Sequence, residues 1–172
     1  PDVFDWRREL KDSINSRRYD FIVMMLGTND SQDFAERGKI LTYGSTEWVK
    51  TYNERIATMM ETSCKGAKKA VWLGLPPMQS RSFNRKIVRI NSWAKRQAMK
   101  FPCVEYLPLE TVIGDEKGAF VGYLRIDRAI EKIRMVDGIH ITAKGGTLIS
   151  KILVDLFGKA TRGAASDDPV AH

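Results

Sequence analysis

Two residues three positions apart, Asp137 and His140 in the stretch DGIHIT, are the best equipped for chemistry in this 172-residue chain. An imidazole accepts a proton near neutral pH, and a carboxylate on its other ring nitrogen fixes the tautomer and stabilises the charged form. Asp137 can do this if 137–140 form a turn, which Asp-Gly favours. The same residues also suit a plain surface turn that carries a histidine. The other histidine, His172, sits at the end of a polar C-terminal stretch and is read as incidental.

A second group lies in GTND, Gly27 to Asp30. The side-chain amide of Asn29 can donate a hydrogen bond to a developing oxyanion, a contact worth about 10²–10³ in turnover. Gly, Asn and Asp are also ordinary turn residues, so GTND by itself fits a simple strand-to-loop turn. A base needs a nucleophile. Ser31, Ser45, Ser80 and Ser82 fall in loops, yet none stands in a GxSxG elbow or a Gly-Asp-Ser block. Asp30, Asp33 and Asp137 would suit a metal-dependent phosphohydrolase, but their spacing forms no recognisable ligand cluster. Cys64 and Cys103 are too few and too far apart for a disulfide framework or a zinc site, and both are expected as buried, small apolar residues.

These residues depend on the elements around them. A first helix is capped by Asp5 and repeats Trp6, Leu10 and Ile14 at a spacing of four. FIVMML, Phe21 to Leu26, reads as a strand buried on both faces and ends at Gly27. Trp48, Val49, Tyr52, Ile56, Met59 and Met60 share one stripe of a helix that starts near Thr46, with Gly66 expected as its C-terminal cap. AVWLGLPP is a second strand closed by prolines, and CVEYLPL a third. Between them, a helix over roughly 83–100 carries Arg85, Arg89, Arg96 and Lys100 on one side. Thr111 to Arg134 looks irregular. A last helix, capped by Thr142 and ended by Gly158, presents Leu148, Ile149, Ile152, Leu153 and Leu156, and residues 159–172 read as a mobile tail. Helices alternating with buried apolar strands predict an α/β sandwich on a parallel sheet, with ligand loops beyond the carboxyl ends of its strands. GTND, GLPP (Gly74 to Pro77) and DGIH can then meet at one rim.

The length and 43% apolar content fit one domain. The longest apolar run is far short of the roughly 20 residues that span a bilayer. The N-terminal PDVFDWRREL lacks the apolar core of a signal peptide. The net charge is +7, and the stretch from Arg81 to Lys100 holds seven basic residues and no acidic one. Without interleaved aromatics to stack bases, that stretch reads as a solvated helix face and nucleic acid as an unfavoured partner.

GTND after a strand and DGIH before the last helix resemble the third and fifth sequence blocks of the SGNH hydrolases, the GDSL-type lipases and esterases. The ordered set GTNDSQ, EWVKTYNERI, VWLGLPPM and DGIHIT is similar to a bacterial cell-envelope branch of that superfamily, across roughly Asp5 to Gly158. This resemblance implies a three-layer α/β/α sandwich with a flavodoxin-like parallel sheet. It implies Asn29 as an oxyanion donor in a loop shaped by Gly27, His140 as general base and Asp137 as its orienting partner. It implies no metal and no cofactor, a small-molecule or carbohydrate ester as substrate, with O-acetyl groups of envelope carbohydrate as one example, and a periplasmic or envelope location. The chain departs from the family in lacking the Gly-Asp-Ser block and the glycine donor of the second block. A leading strand-helix-strand unit of about 30 residues or more is therefore expected to be missing, which leaves Phe21 to Leu26 at a sheet edge. On that expectation the chain is the larger part of a serine esterase or acyltransferase. The alternative is a non-catalytic SGNH-like module that binds a glycan or a protein. Oligomeric state is left open.

Overall fold

The structure, a computed structural model, describes residues 5–165. Helix α1 (Trp6–Ser16) starts at Asp5, whose carboxylate accepts from the Arg7 and Arg8 amides. Strand β1 (Tyr19–Met24) leads into GTND, and a hairpin follows, β2 (Phe34–Glu36) and β3 (Lys39–Leu41). Arg37 and Gly38, the two residues of its turn, both have positive φ, the form that matches strand twist in a tight hairpin. Then come α2 (Thr46–Gly66), β4 (Ala67–Leu73), α3 (Arg81–Ala98), β5 (Val104–Leu107) and the short α4 (Glu110–Ile113). A second hairpin, β6 (Tyr123–Ile126) and β7 (Ala129–Lys132), precedes α5 (Ala143–Ala165).

Strands β1, β4 and β5 form a parallel sheet in that order, with Val23 beside Val71 and Val71 beside Glu105. Alternate residues of β4 point to opposite faces, which gives the fold its layers. Ala70 and Trp72 join Trp48, Met60, Ile87 and Ile90 under α2 and α3, while Val71 and Leu73 join Ile113, Ile133 and Ile149 under α4 and α5. The result is a three-layer α/β/α sandwich. α1 lies on the α2 side, where Ile14 packs so tightly on Gly66 that a Cβ there would overlap it. Gly66 therefore ends α2 for close approach and not as a left-handed cap; the C-cap is Ala67.

Three further expectations change. β1 takes the expected place at the sheet edge, but Val23 is exposed, so the strand is not buried on both faces; its Phe21 is covered by the Phe157 ring at 4.0 Å. The last helix runs through Gly158 to Ala165, because glycine within a helix costs only about 1 kcal/mol and does not by itself stop it. The rest of the expected tail, with His172, lies outside the described residues. Cys64 and Cys103 are neither fully buried nor free: they form a disulfide, with Cα atoms 5.7 Å apart. The last turn of α2 and the turn before β5 meet at the amino end of the sheet, where the Ala70 amide donates to the Cys103 carbonyl, so 39 residues of sequence separation close to bonding distance. Among the described residues no helix is long and apolar enough to cross a membrane.

Candidate active site

The DGIH segment is a closed turn. The Met135 amide donates to the His140 carbonyl and the Gly138 amide to the Met135 carbonyl. Gly138 has φ +69°, and a Cβ there would also collide with Gln79, so both backbone and space demand glycine. Asp137 serves the turn twice. Its Oδ1 accepts from the Ile139 and His140 amides at 2.8 and 3.0 Å, and its Oδ2 lies 2.6 Å from His140 Nδ1. An ionised carboxylate only accepts, so Nδ1 carries the proton and the lone pair is on Nε2. The ring's donation, then the two amides, hold the Asp137 carboxyl well below the usual carboxylate range. The His140 side chain is 75% exposed, and among the described residues its ring bonds only to Asp137. Chemically this is an oriented imidazole with an open basic nitrogen.

Arg134 explains why the turn keeps its shape. Its side chain is completely buried and donates to the carbonyls of Pro77 at 2.6 Å, Ile139 at 2.8 Å and Gly138 at 3.3 Å, with a long contact to that of His140 at 3.4 Å. It also lies over the Phe120 ring at 4.9 Å. Burial pulls its pKa down, opposed by the Asp137 charge. One guanidinium thus ties the histidine turn to the loop leaving β4, reinforced by the Gln79 amide on the Gly138 carbonyl. Sequence reading missed Arg134, because an arginine in KIRMV looks like any surface cation.

GTND forms a single 3₁₀ turn, Thr28–Asp30, after Gly27 at φ +120°. A Cβ on Gly27 would press on Ile90, the Tyr52 hydroxyl and Leu75, so this glycine seats the turn against the β4 loop and α3. Buried Tyr52 has its hydroxyl pKa raised by burial and then by Asp30, to which it donates at 3.0 Å. Asn29 stands exposed on the turn, and among the described residues its amide has no hydrogen-bond partner. The turn borders a cavity of about 580 Å³ between β1, α1 and α2, lined by Trp6, Arg7, Asn29 and Arg55 among others. His140 does not line it. The three loops are contiguous through Gly27 on Leu75 and Arg134 on Pro77, but among the described residues Asn29 and His140 share neither a hydrogen bond nor a cavity.

The serines have other work. Ser45 Oγ caps α2 through the Trp48 amide, Ser80 Oγ caps α3 through the Phe83 amide, and Ser82 bonds to Ser80. Ser31 is buried, with its carbonyl on Lys86 Nζ at 3.0 Å. Asp30, Asp33 and Asp137 are committed separately, to Tyr52, the Tyr43 amide and His140. Among the described residues no three His, Cys, Asp or Glu groups are arranged to hold a metal ion.

No curated protein matches the chain. A solved structure from Streptococcus pneumonia, described as a candidate platelet activating factor, superposes with a TM-score of 0.58 over 87% of this chain and 67% of its own, at 19% identity. At that identity the likeness is one of fold. Residues 1–156 match the family model described as protein of unknown function DUF459, and the chain belongs to that family.

Proposed function

We propose that this chain is the base-bearing part of an SGNH-type serine esterase or acyl hydrolase. The observation that carries the reading is the His140 ring, held by Asp137 through Nδ1 with Nε2 free to take a proton. In the proposed step a serine hydroxyl attacks an ester carbonyl and gives its proton to His140 Nε2. The tetrahedral oxyanion accepts from the Asn29 amide, whose loop Gly27 shapes. Collapse expels the alcohol, which takes the proton from His140, and water then hydrolyses the acyl-enzyme by the same base. The serine comes from outside these residues, since the loop serines cap helices or lie buried.

Two lines of support bear on substrate and place. The Streptococcus structure is named for a platelet activating factor; for this chain we propose a simple ester, such as an O-acetyl group on envelope carbohydrate. Disulfides persist in oxidising compartments, and Cys64–Cys103 therefore favours a periplasmic or envelope location. A non-catalytic binding module draws on one observation, that among the described residues no serine hydroxyl bonds to His140.

Hydrolysis of p-nitrophenyl acetate separates these readings, measured on this chain and on the protein carried to its natural start. The esterase reading expects turnover by the longer protein, falling about 10²–10⁴-fold in His140→Ala and about 10²–10³-fold in Asn29→Ala. Turnover that is indifferent to His140 overturns it, and no turnover by either protein favours the module.

A further inference from the structure

The outer face of α3 is a row of cations without counter-charges. None of the seven basic residues from Arg81 to Lys100 meets a carboxylate among the described residues. Several cations elsewhere do meet carboxylates: Lys39 with Glu47, Arg55 with Glu36, Lys69 with Glu105, Lys144 with Glu131. On α3 they rest on neutral groups instead. Arg96 donates to Ser92 Oγ, Lys100 to Gln97 Oε1, and Arg89 lies over the rings of Trp93 at 5.2 Å and Tyr43 at 5.6 Å. Like charges four residues apart, such as Arg81, Arg85 and Arg89, repel one another. An anion laid along the helix removes that repulsion.

The row has an origin and a flank. It begins beside the candidate site, because Gln79, two residues before Arg81, donates its amide to Gly138 of the histidine turn. From Arg81 to Lys100 it runs about 28 Å at the helical rise. Along its flank Ser92 and Lys95 border a cavity of about 240 Å³ that Tyr106 and Glu110 also line. Glu110 is part of that lining, and its Oε2 is buried with no hydrogen-bond partner among the described residues. A buried acceptor of this kind calls for a donor. The phosphodiesters of DNA offer only acceptors along their backbone, whereas a charged sugar chain brings anions and hydroxyl donors together.

We propose that α3 binds an anionic polysaccharide, its charges along Arg81 to Lys100 and a sugar hydroxyl on Glu110, and so guides the polymer toward the histidine turn. The guiding role rests on the esterase reading; the binding does not.

The test is fluorescence anisotropy of labelled alginate, a carboxylated polysaccharide, with the 172-residue chain across about 50 to 200 mM salt. A triple variant, Arg85→Gln, Arg96→Gln and Lys100→Gln, is compared with Arg125→Gln, Arg128→Gln and Lys132→Gln on the β6–β7 hairpin, which removes the same charge. The α3 triple is expected to weaken binding about tenfold or more and to lower the slope of log K against log salt by about two, while the hairpin triple stays within about twofold. Glu110→Gln is expected to weaken binding with the slope unchanged. Equal losses in the two triples overturn the proposal, since net charge alone then suffices. Tighter binding to phosphatidylglycerol vesicles or to a single-stranded oligonucleotide than to alginate also overturns it. Loss of p-nitrophenyl acetate turnover in His140→Ala of the longer protein, with alginate binding intact, tells the two readings apart.

Discussion

Arg134 puts a full positive charge in the interior with carbonyl dipoles as its partners, and this sets the cost of losing it. Replacement by methionine keeps the volume but leaves buried carbonyls of Pro77 and Ile139 unsatisfied. A hydrogen bond from a charged donor contributes about 1.5–3 kcal/mol, so Arg134→Met is expected to lower unfolding free energy by about 3 kcal/mol, read from the urea midpoint. Arg134→Lys should recover only part, because an ammonium cannot fork between two loops. Asp137 makes a different prediction, on pH. Its pKa is depressed in the folded chain, first by the His140 ring and then by two amides. The stabilisation from its ionised form is therefore complete above about pH 5 and fades as pH falls through the ordinary value of 3.8 toward the lower folded one. Thermal melts should show Asp137→Asn less stable than the parent at pH 6, with the gap closing as the solution is acidified. A gap that does not change with pH would mean the carboxylate contributes nothing through its charge.

At the scale of elements, the disulfide ties the last turn of α2 to the start of β5 across 39 residues. On the chain-entropy estimate a loop of that size removes about 4 kcal/mol worth of unfolded-state freedom. Reduction, or Cys64→Ala with Cys103→Ala, is expected to lower stability by about that amount while α3 and the parallel sheet keep their far-ultraviolet signature. This bond also marks where sequence reading ended. α2 and α3 announced themselves through long apolar stripes, GTND through turn residues after a strand and DGIH through an Asp-Gly turn before the last helix, because periodicity and turn chemistry are local. The Cys64–Cys103 pair and the Arg134 clamp depend on which distant segments meet, which spacing along the chain does not encode. The hairpins were hidden for another reason: strands of three or four residues are too short for alternation to stand out, although Arg37-Gly38 offered a turn signal. Gly158 misled because a glycine marks a helix end only when the chain beyond it has better use for its hydrogen bonds.

For the whole molecule, the weak point is the free side of β1. A parallel sheet is normally covered on both faces and flanked at its edges, yet β1 has no strand neighbour beyond β4 among the described residues. Val23 and Met25 are exposed beside it, 40% and 45%. α5 shields the amino end through Phe157 on Phe21, and the carboxyl end stays open next to Asn29. An apolar edge of unpaired amides and carbonyls is a template for another strand. The 172-residue chain is therefore expected to associate as its concentration rises, with sedimentation velocity showing larger species, and Val23→Lys should hold it monomeric by placing a charge where a second sheet would stack. Hydrogen exchange locates the contact, since protection of the amides from Phe21 to Met24 should rise with concentration in the parent and not in the variant. If the parent stays monomeric while those amides are already protected, the edge is covered within a single molecule. In that case the edge offers no template to a second strand.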